Sequence, residues 1–186
     1  MESASETNGA SVRQAESSNF ASVDNIDANT YTSGEEVCYL NKLTFLAKLT
    51  NTPENNVSEP MLELPPYDFS LCALWDFRAA FEEEHISTAA RKILSRAASL
   101  LMIHCAERLW ANVQTGQSFV HHASGTNPAF VGEKFDIKHH TWTGFNQQRW
   151  NIWVRGFKYV DRMEDEDVQV LIGRALIEIA RVERAT

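Results

Sequence analysis

The chain has 186 residues, 44% of them hydrophobic, and 17 Lys and Arg against 25 Asp and Glu give it a net charge of -8. That length and composition suit one soluble domain with a sizeable core, and the acidic balance argues against nucleic acid, which calls for a basic stripe interleaved with base-stacking aromatics. No apolar run approaches the roughly 20 residues of a spanning helix, and the start lacks the basic and apolar regions of a secretory signal, so the expected localisation is cytoplasmic, with no membrane association.

Residues 1–34 read as a disordered acidic and polar tail, rich in Ser, Ala, Asn, Thr, Glu and Asp, with only Val12, Phe20, Val23, Ile26 and Tyr31 as larger apolar side chains. Such a segment buries too little surface to offset the entropy of ordering it. Residues 1–36 carry seven acids against Arg13, which leaves the remainder of the chain close to neutral. The helical domain is therefore placed at 35–186.

The first helix is expected from Ser33, because Ser33-Gly34-Glu35-Glu36 reads as a capping box. It runs to about Thr50 with Leu40, Leu43, Leu46 and Ala47 on one face, and Asn51-Thr52-Pro53 stops it. After a polar linker ending in Pro65-Pro66, a second helix is expected from Asp68 to about Glu84, with Leu71, Leu74, Trp75, Phe77 and Phe81 facing inward. The third, capped by Ser87 or Thr88, carries Ile93, Leu94, Ala97, Leu100 and Leu101 and continues to Val113, before Thr115-Gly116 ends it. It is the longest and most apolar, which makes it the expected central helix.

Residues 115–145 break the periodicity with Gly116, Gly125, Pro128, Gly132 and Gly144. A loop of that length inside a compact domain is usually functional, mobile or host to short structure of its own. Asn146 is placed to cap a fourth helix, and Phe145 to staple onto Trp150 across that cap. A fifth follows from about Asp165 to Arg184, its acidic start matched to the helix dipole and its stripe made by Val168, Leu171, Ile172, Ala175, Ile179 and Val182. Five striped helices without a strand pattern imply an all-α, single-domain bundle with one long loop.

Cys38, Cys72 and Cys105 fall on three separate helices and read as small buried hydrophobes. The only nearby base, His104, is adjacent to Cys105 and points about 100° away from it on a helix. The His121-His122 and His139-His140 pairs lack the spacing of a metal scaffold. They read as solvated loop residues, and no metal or cofactor is expected: no phosphate-binding glycine loop is present.

The segment Gly144-Phe145-Asn146-Gln147-Gln148-Arg149-Trp150-Asn151-Ile152-Trp153 resembles a Gly-Phe-polar-x-Arg-Trp-x-x-Trp motif found near the end of a family of fungal proteins catalogued only as a domain of unknown function. Phe45-Leu46-Ala47-Lys48-Leu49-Thr50 is similar to that family's early Phe-x-Ala-Arg-Leu-Thr segment, with Lys48 in place of Arg. Leu74-Trp75-Asp76-Phe77-Arg78-Ala79-Ala80-Phe81-Glu82 looks like its Trp-Ala-Leu-Arg-x-Ala-Leu-Glu helix. The resemblance spans roughly residues 36–184. It implies a soluble fungal helical domain and carries over no catalytic residue.

On a helical wheel at about 100° per residue, Arg78 falls between Leu71 and Leu74, His104 between Ile93 and Ala97, and Arg108 between Ala97 and Leu101. Arg149 lies beside Trp153 and Val160. A buried guanidinium needs carboxylates, carbonyls, water or a ligand around it, and Glu107 and Glu178 at the stripe edges are the expected carboxylates. The alternative is an internal pocket. There Trp75, Trp150, Trp153 and Phe157 would hold an apolar skeleton, Arg78 and Arg108 would bind an oxygen-rich group, and His104 with Arg149 would be the catalytic pair.

Three readings follow. The first is a small-molecule-binding protein of fungal metabolism, conceivably a cofactor-independent cyclase, isomerase or lyase. The second is a noncatalytic helical interaction module with the tail as its arm. The third is a regulatory homodimer held by exposed aromatics such as Trp110, Trp142 or Tyr159. A pocket touching Arg78, Arg108 and Arg149 favours the first, whereas a solid core with those arginines paired favours the second.

Overall fold

A computed structural model describes residues 32–52, 67–84, 86–119, 129–135, 142–160 and 165–185. Helix α1 (Ser33–Thr50) is capped by Thr32, not by the expected Ser33. The Thr32 hydroxyl accepts from the Glu35 N–H at 3.3 Å while the Glu35 carboxylate accepts from the Thr32 N–H at 2.8 Å, the reciprocal pattern of a capping box. Glu36, which the Ser33 register would have used, instead binds Arg96 at 2.7 Å.

Helix α2 (Ser70–Phe77) starts two residues after Asp68, whose carboxylate accepts the Ser70 N–H at 2.8 Å. It runs directly into a π-helical turn, Arg78–Glu82. Helix α3 (Thr88–Thr115) is capped by Ser87, which accepts from the Ala90 N–H at 3.1 Å, and ends at Gly116, whose φ of 66° takes the left-handed conformation. Its axis kinks at Cys105, whose thiol donates to the Leu101 carbonyl one turn back at 3.1 Å. Such back-bonding loosens a helical ladder locally.

Helix α4 (Gln147–Val160) opens on Asn146, whose side chain accepts the Arg149 N–H at 2.8 Å as expected. Phe145 meets Trp153 edge-on at 5.8 Å, three residues beyond the Trp150 expected as its staple. Helix α5 (Glu166–Arg184) is capped by Asp165, which accepts from Val168 at 3.1 Å. Among the described residues there is no strand, and the five helices make an all-α fold.

Helix α3 is the centre of the bundle and touches each of the other four helices. Its Leu94, Leu101, Met102 and Leu109 join Leu74 and Phe77 of α2, Trp150, Trp153 and Phe157 of α4, and Ile172 and Ile179 of α5 in one core. Phe77 stacks on Trp153 at 4.8 Å and Phe81 tilts onto Phe157 at 4.7 Å. Aromatic pairs of this kind contribute about 0.5–1.5 kcal/mol each beyond their buried area. Of the three cysteines only Cys105 is buried; Cys72 is half-buried and Cys38 is exposed, contrary to the expectation for it.

The ends of the 115–145 loop are joined by a single antiparallel bridge between Ser118 and Gly144. Phe119 N–H donates to Thr143 O and Phe145 N–H to Gln117 O, both at 2.8 Å. A Cβ at Gly144 would stand 2.1 Å from Gln117 O, so only glycine permits this approach. His121, His122, His139 and His140 lie outside the described residues.

Candidate functional site

The π-helical turn determines what sits at the middle of the molecule. On a regular helix Glu82 would lie roughly 140° round from Phe77 at 100° per residue. The wider turn brings both onto Trp153: Phe77 stacks on its ring, and its Nε1–H donates to Glu82 Oε1 at 2.7 Å. Glu82 is fully buried. Its carboxylate also accepts from Arg149 Nε at 2.7 Å, Arg149 Nη2 at 3.0 Å and the Gly132 N–H at 3.0 Å. Those four donors match the four lone-pair sites of the ionised group.

Arg149 is equally enclosed, and each of its five N–H bonds has an acceptor. Two go to Glu82; Nη1 donates to Ala129 O at 2.7 Å and Gly144 O at 3.0 Å, and Nη2 to Phe130 O at 3.1 Å. The guanidinium also lies 5.8 Å from the Trp153 ring centre. A planar fork of five donors explains why Arg stands here and not Lys. Arg149 thus binds the π-turn to the 129–135 segment and to the Gly144 end of the long loop, and no donor is left for a substrate.

The other inward cations occupy separate surroundings. Arg108 is buried against Asp68, with Nε at 2.7 Å and Nη2 at 2.6 Å from Oδ2. Arg78 is half-buried and bonded to Glu83 at 2.8 Å. The expected carboxylates, Glu107 and Glu178, instead hold Arg181 of α5 on the surface, at 2.6 and 2.7 Å. They lie on outward helix faces, where an exposed guanidinium reaches them without desolvation. His104 is half-buried, and burial first, then Lys48 of α1 and Arg174 of α5, hold its pKa below the ordinary imidazole value. No described contact joins it to Arg149.

Trp153 and Phe157 share the Arg149 core, and Trp150 adjoins it, tilted against Trp110 at 5.0 Å with its Nε1–H on Glu183 at 2.8 Å. Trp75 is half-buried on α2, and its Nε1–H has no partner among the described residues. Sequence reasoning passes over Glu82 and Asp68, the two carboxylates that neutralise the buried arginines. Glu82 falls off the apolar stripe on a regular wheel, and Asp68 reads only as a helix start. Among the described residues no three His, Cys, Asp or Glu side chains converge to hold a metal ion.

A cleft of about 440 Å³ opens where α4 crosses the π-turn. Ile152 and the exposed Tyr159 give it apolar surface over the buried Phe81 and Val160, and Arg91, Lys134 and Arg155 stand around it. At its floor the Phe81 ring packs directly on Gly156, where a Cβ would meet it at 2.4 Å. Arg91 and Lys134 are tethered to the π-turn through Ala80 O at 3.5 Å and Phe81 O at 2.7 Å.

The fold and this interior define an all-α helical protein whose long loop is locked onto the bundle by one buried ion pair. Residues 7–157 match the family described as "Protein of unknown function (DUF3632)", and the chain belongs to that family. The match begins inside the segment read as a tail and stops within α4, short of α5. No curated protein and no solved structure matches the chain. No described helix is long and apolar enough to cross a membrane.

Proposed function

We propose that the chain is a small-molecule-binding protein of fungal metabolism; the family resemblance implies the fungal setting. The observation that carries the reading is the cleft between α4 and the π-turn, about 440 Å³ with apolar walls and polar groups at its margin. That volume lies within the roughly 300–1,000 Å³ of small-molecule sites. A catalytic role for His104 and Arg149 is not carried forward, because Arg149 has spent all five donors on protein acceptors. The cleft touches none of Arg78, Arg108 and Arg149, and all three are paired with carboxylates, which fits the solid core expected of an interaction module; the small-molecule reading rests on the cleft alone.

Native mass spectrometry of the protein taken from the organism that makes it tests the reading. A noncovalent adduct is expected on the wild-type chain and absent from Ile152→Trp, which fills the cleft, with the variant melting near the wild-type temperature. Absence of any adduct, or an adduct that Ile152→Trp retains, would overturn it.

A further inference from the structure

We infer that the cleft takes an amphipathic anion: a compact aryl or alkyl body carrying one carboxylate, sulfonate or phosphate group. This rests on the small-molecule reading above and names the class of ligand. The three cations come from separate elements, Arg91 from α3, Lys134 from the 129–135 segment and Arg155 from α4, yet they meet at one cavity. Among the described residues none of them has a carboxylate within ion-pair distance, whereas Arg78, Arg96, Arg108, Arg149 and Arg181 all do. At the cleft three unneutralised cations converge beside apolar surface.

The local charge balance points the same way. Burial and then the neighbouring Arg91 hold the Lys134 pKa below its ordinary value, while Glu84, Glu82 and Glu83 act in the opposite sense. Two of those three acids are already answered, Glu82 by Arg149 and Glu83 by Arg78. Around Lys134 this leaves Glu84 as the one of the three acids without an ion-pair partner among the described residues, with Arg91 beside it.

Each cation also keeps donors in reserve. Lys134 Nζ spends one of its three N–H bonds on Phe81 O, and Arg91 Nη1 directs one of the five guanidinium donors to Ala80 O. Arg155 makes only a bond from Nε to Asn151 O in its own helix, at 3.3 Å. Guanidinium forks suit planar or tetrahedral oxyanions. A free inorganic ion would leave Ile152 and the exposed Tyr159 uncovered, and a neutral apolar molecule would leave the cations unanswered. A molecule with both parts satisfies both walls.

Two fluorescent probes test the class: anilinonaphthalene sulfonate, and phenylnaphthylamine, which has the same aryl body without the charge. The sulfonate should bind once per chain and roughly tenfold more tightly than the neutral probe. Arg91→Gln/Lys134→Gln/Arg155→Gln should erase that preference. Arg155→Gln alone, an exposed change that leaves the fold intact, should weaken sulfonate binding about threefold.

Equal binding of the two probes, both lost in Ile152→Trp, would overturn the anion class and leave the small-molecule reading standing. Sulfonate binding that is unchanged in the triple variant would place the probe elsewhere and overturn the inference. Displacement by equimolar inorganic phosphate would overturn the amphipathic requirement. Loss of the native adduct, by contrast, bears on the underlying reading.

Discussion

Arg149 and Glu82 form a pair in which neither member can be removed alone. Taking one partner from a buried, hydrogen-bonded ion pair typically costs about 3–5 kcal/mol, because the other charge is left without compensation. Arg149→Met should lower the unfolding free energy by about that amount in urea titrations. Arg149→Met/Glu82→Leu should cost clearly less than the sum of the single changes; strict additivity would mean that the two side chains do not act together. Asp76 offers a second residue-scale test. It is buried against Tyr39, whose hydroxyl donates to it, and burial raises its pKa from 3.8 to about 7. Below about pH 4 both native and unfolded states hold the proton, and between about pH 4 and pH 7 only the native state does. Stability should therefore fall as pH rises through that window, by on the order of 4 kcal/mol, and level off above it. Asp76→Asn should remove this fall, and an unchanged pH profile would assign it to another group.

Elements are joined here by close backbone approaches as much as by apolar stripes. Gly144→Ala would set a methyl group 2.1 Å from Gln117 O and break the bridge that closes the long loop. Its melting temperature should drop well below wild type. Gly173 in α5 is the contrasting case, because a methyl group there would meet nothing within 4 Å. Gly173→Ala should stabilise by about 0.5–1 kcal/mol through helix propensity, and calorimetry on the two variants separates crowding from backbone entropy. The caps of α3 and α4 are legible in the sequence because Ser87 and Asn146 each satisfy N–H groups within their own first turn. The cap of α1 is ambiguous there, because Thr32-x-x-Glu35 and Ser33-x-x-Glu36 offer the same local box one residue apart. The π-turn is hidden: periodicity reports a regular helix, and only packing against Trp153 and Arg149 shows the extra residue in the turn.

At the scale of the whole molecule, Arg96 of α3 ties the flanking helices together, with Glu36 of α1 at 2.7 Å and Asp165 and Asp167 of α5 at 3.7 and 3.8 Å. These pairs sit at the surface, so Arg96→Gln should cost at most about 1 kcal/mol, an effect that shrinks in high salt. A larger loss that persists in salt would show that Arg96 acts through packing instead. The all-α class, the five helices among the described residues and the central place of α3 follow from the spacing of apolar residues along the chain, since each stripe must be buried against another helix. The inward direction of Arg108 and Arg149 is legible for the same reason. Which carboxylates answer them is not, because Asp68 and Glu82 lie 40 and 67 residues away in the chain. The cleft is beyond sequence reasoning too: Arg91, Lys134 and Arg155 belong to no shared motif. Local spacing sets which faces of a helix turn inward; the pairing of charges across the core, and the meeting of three cations at one opening, arise only when distant segments pack.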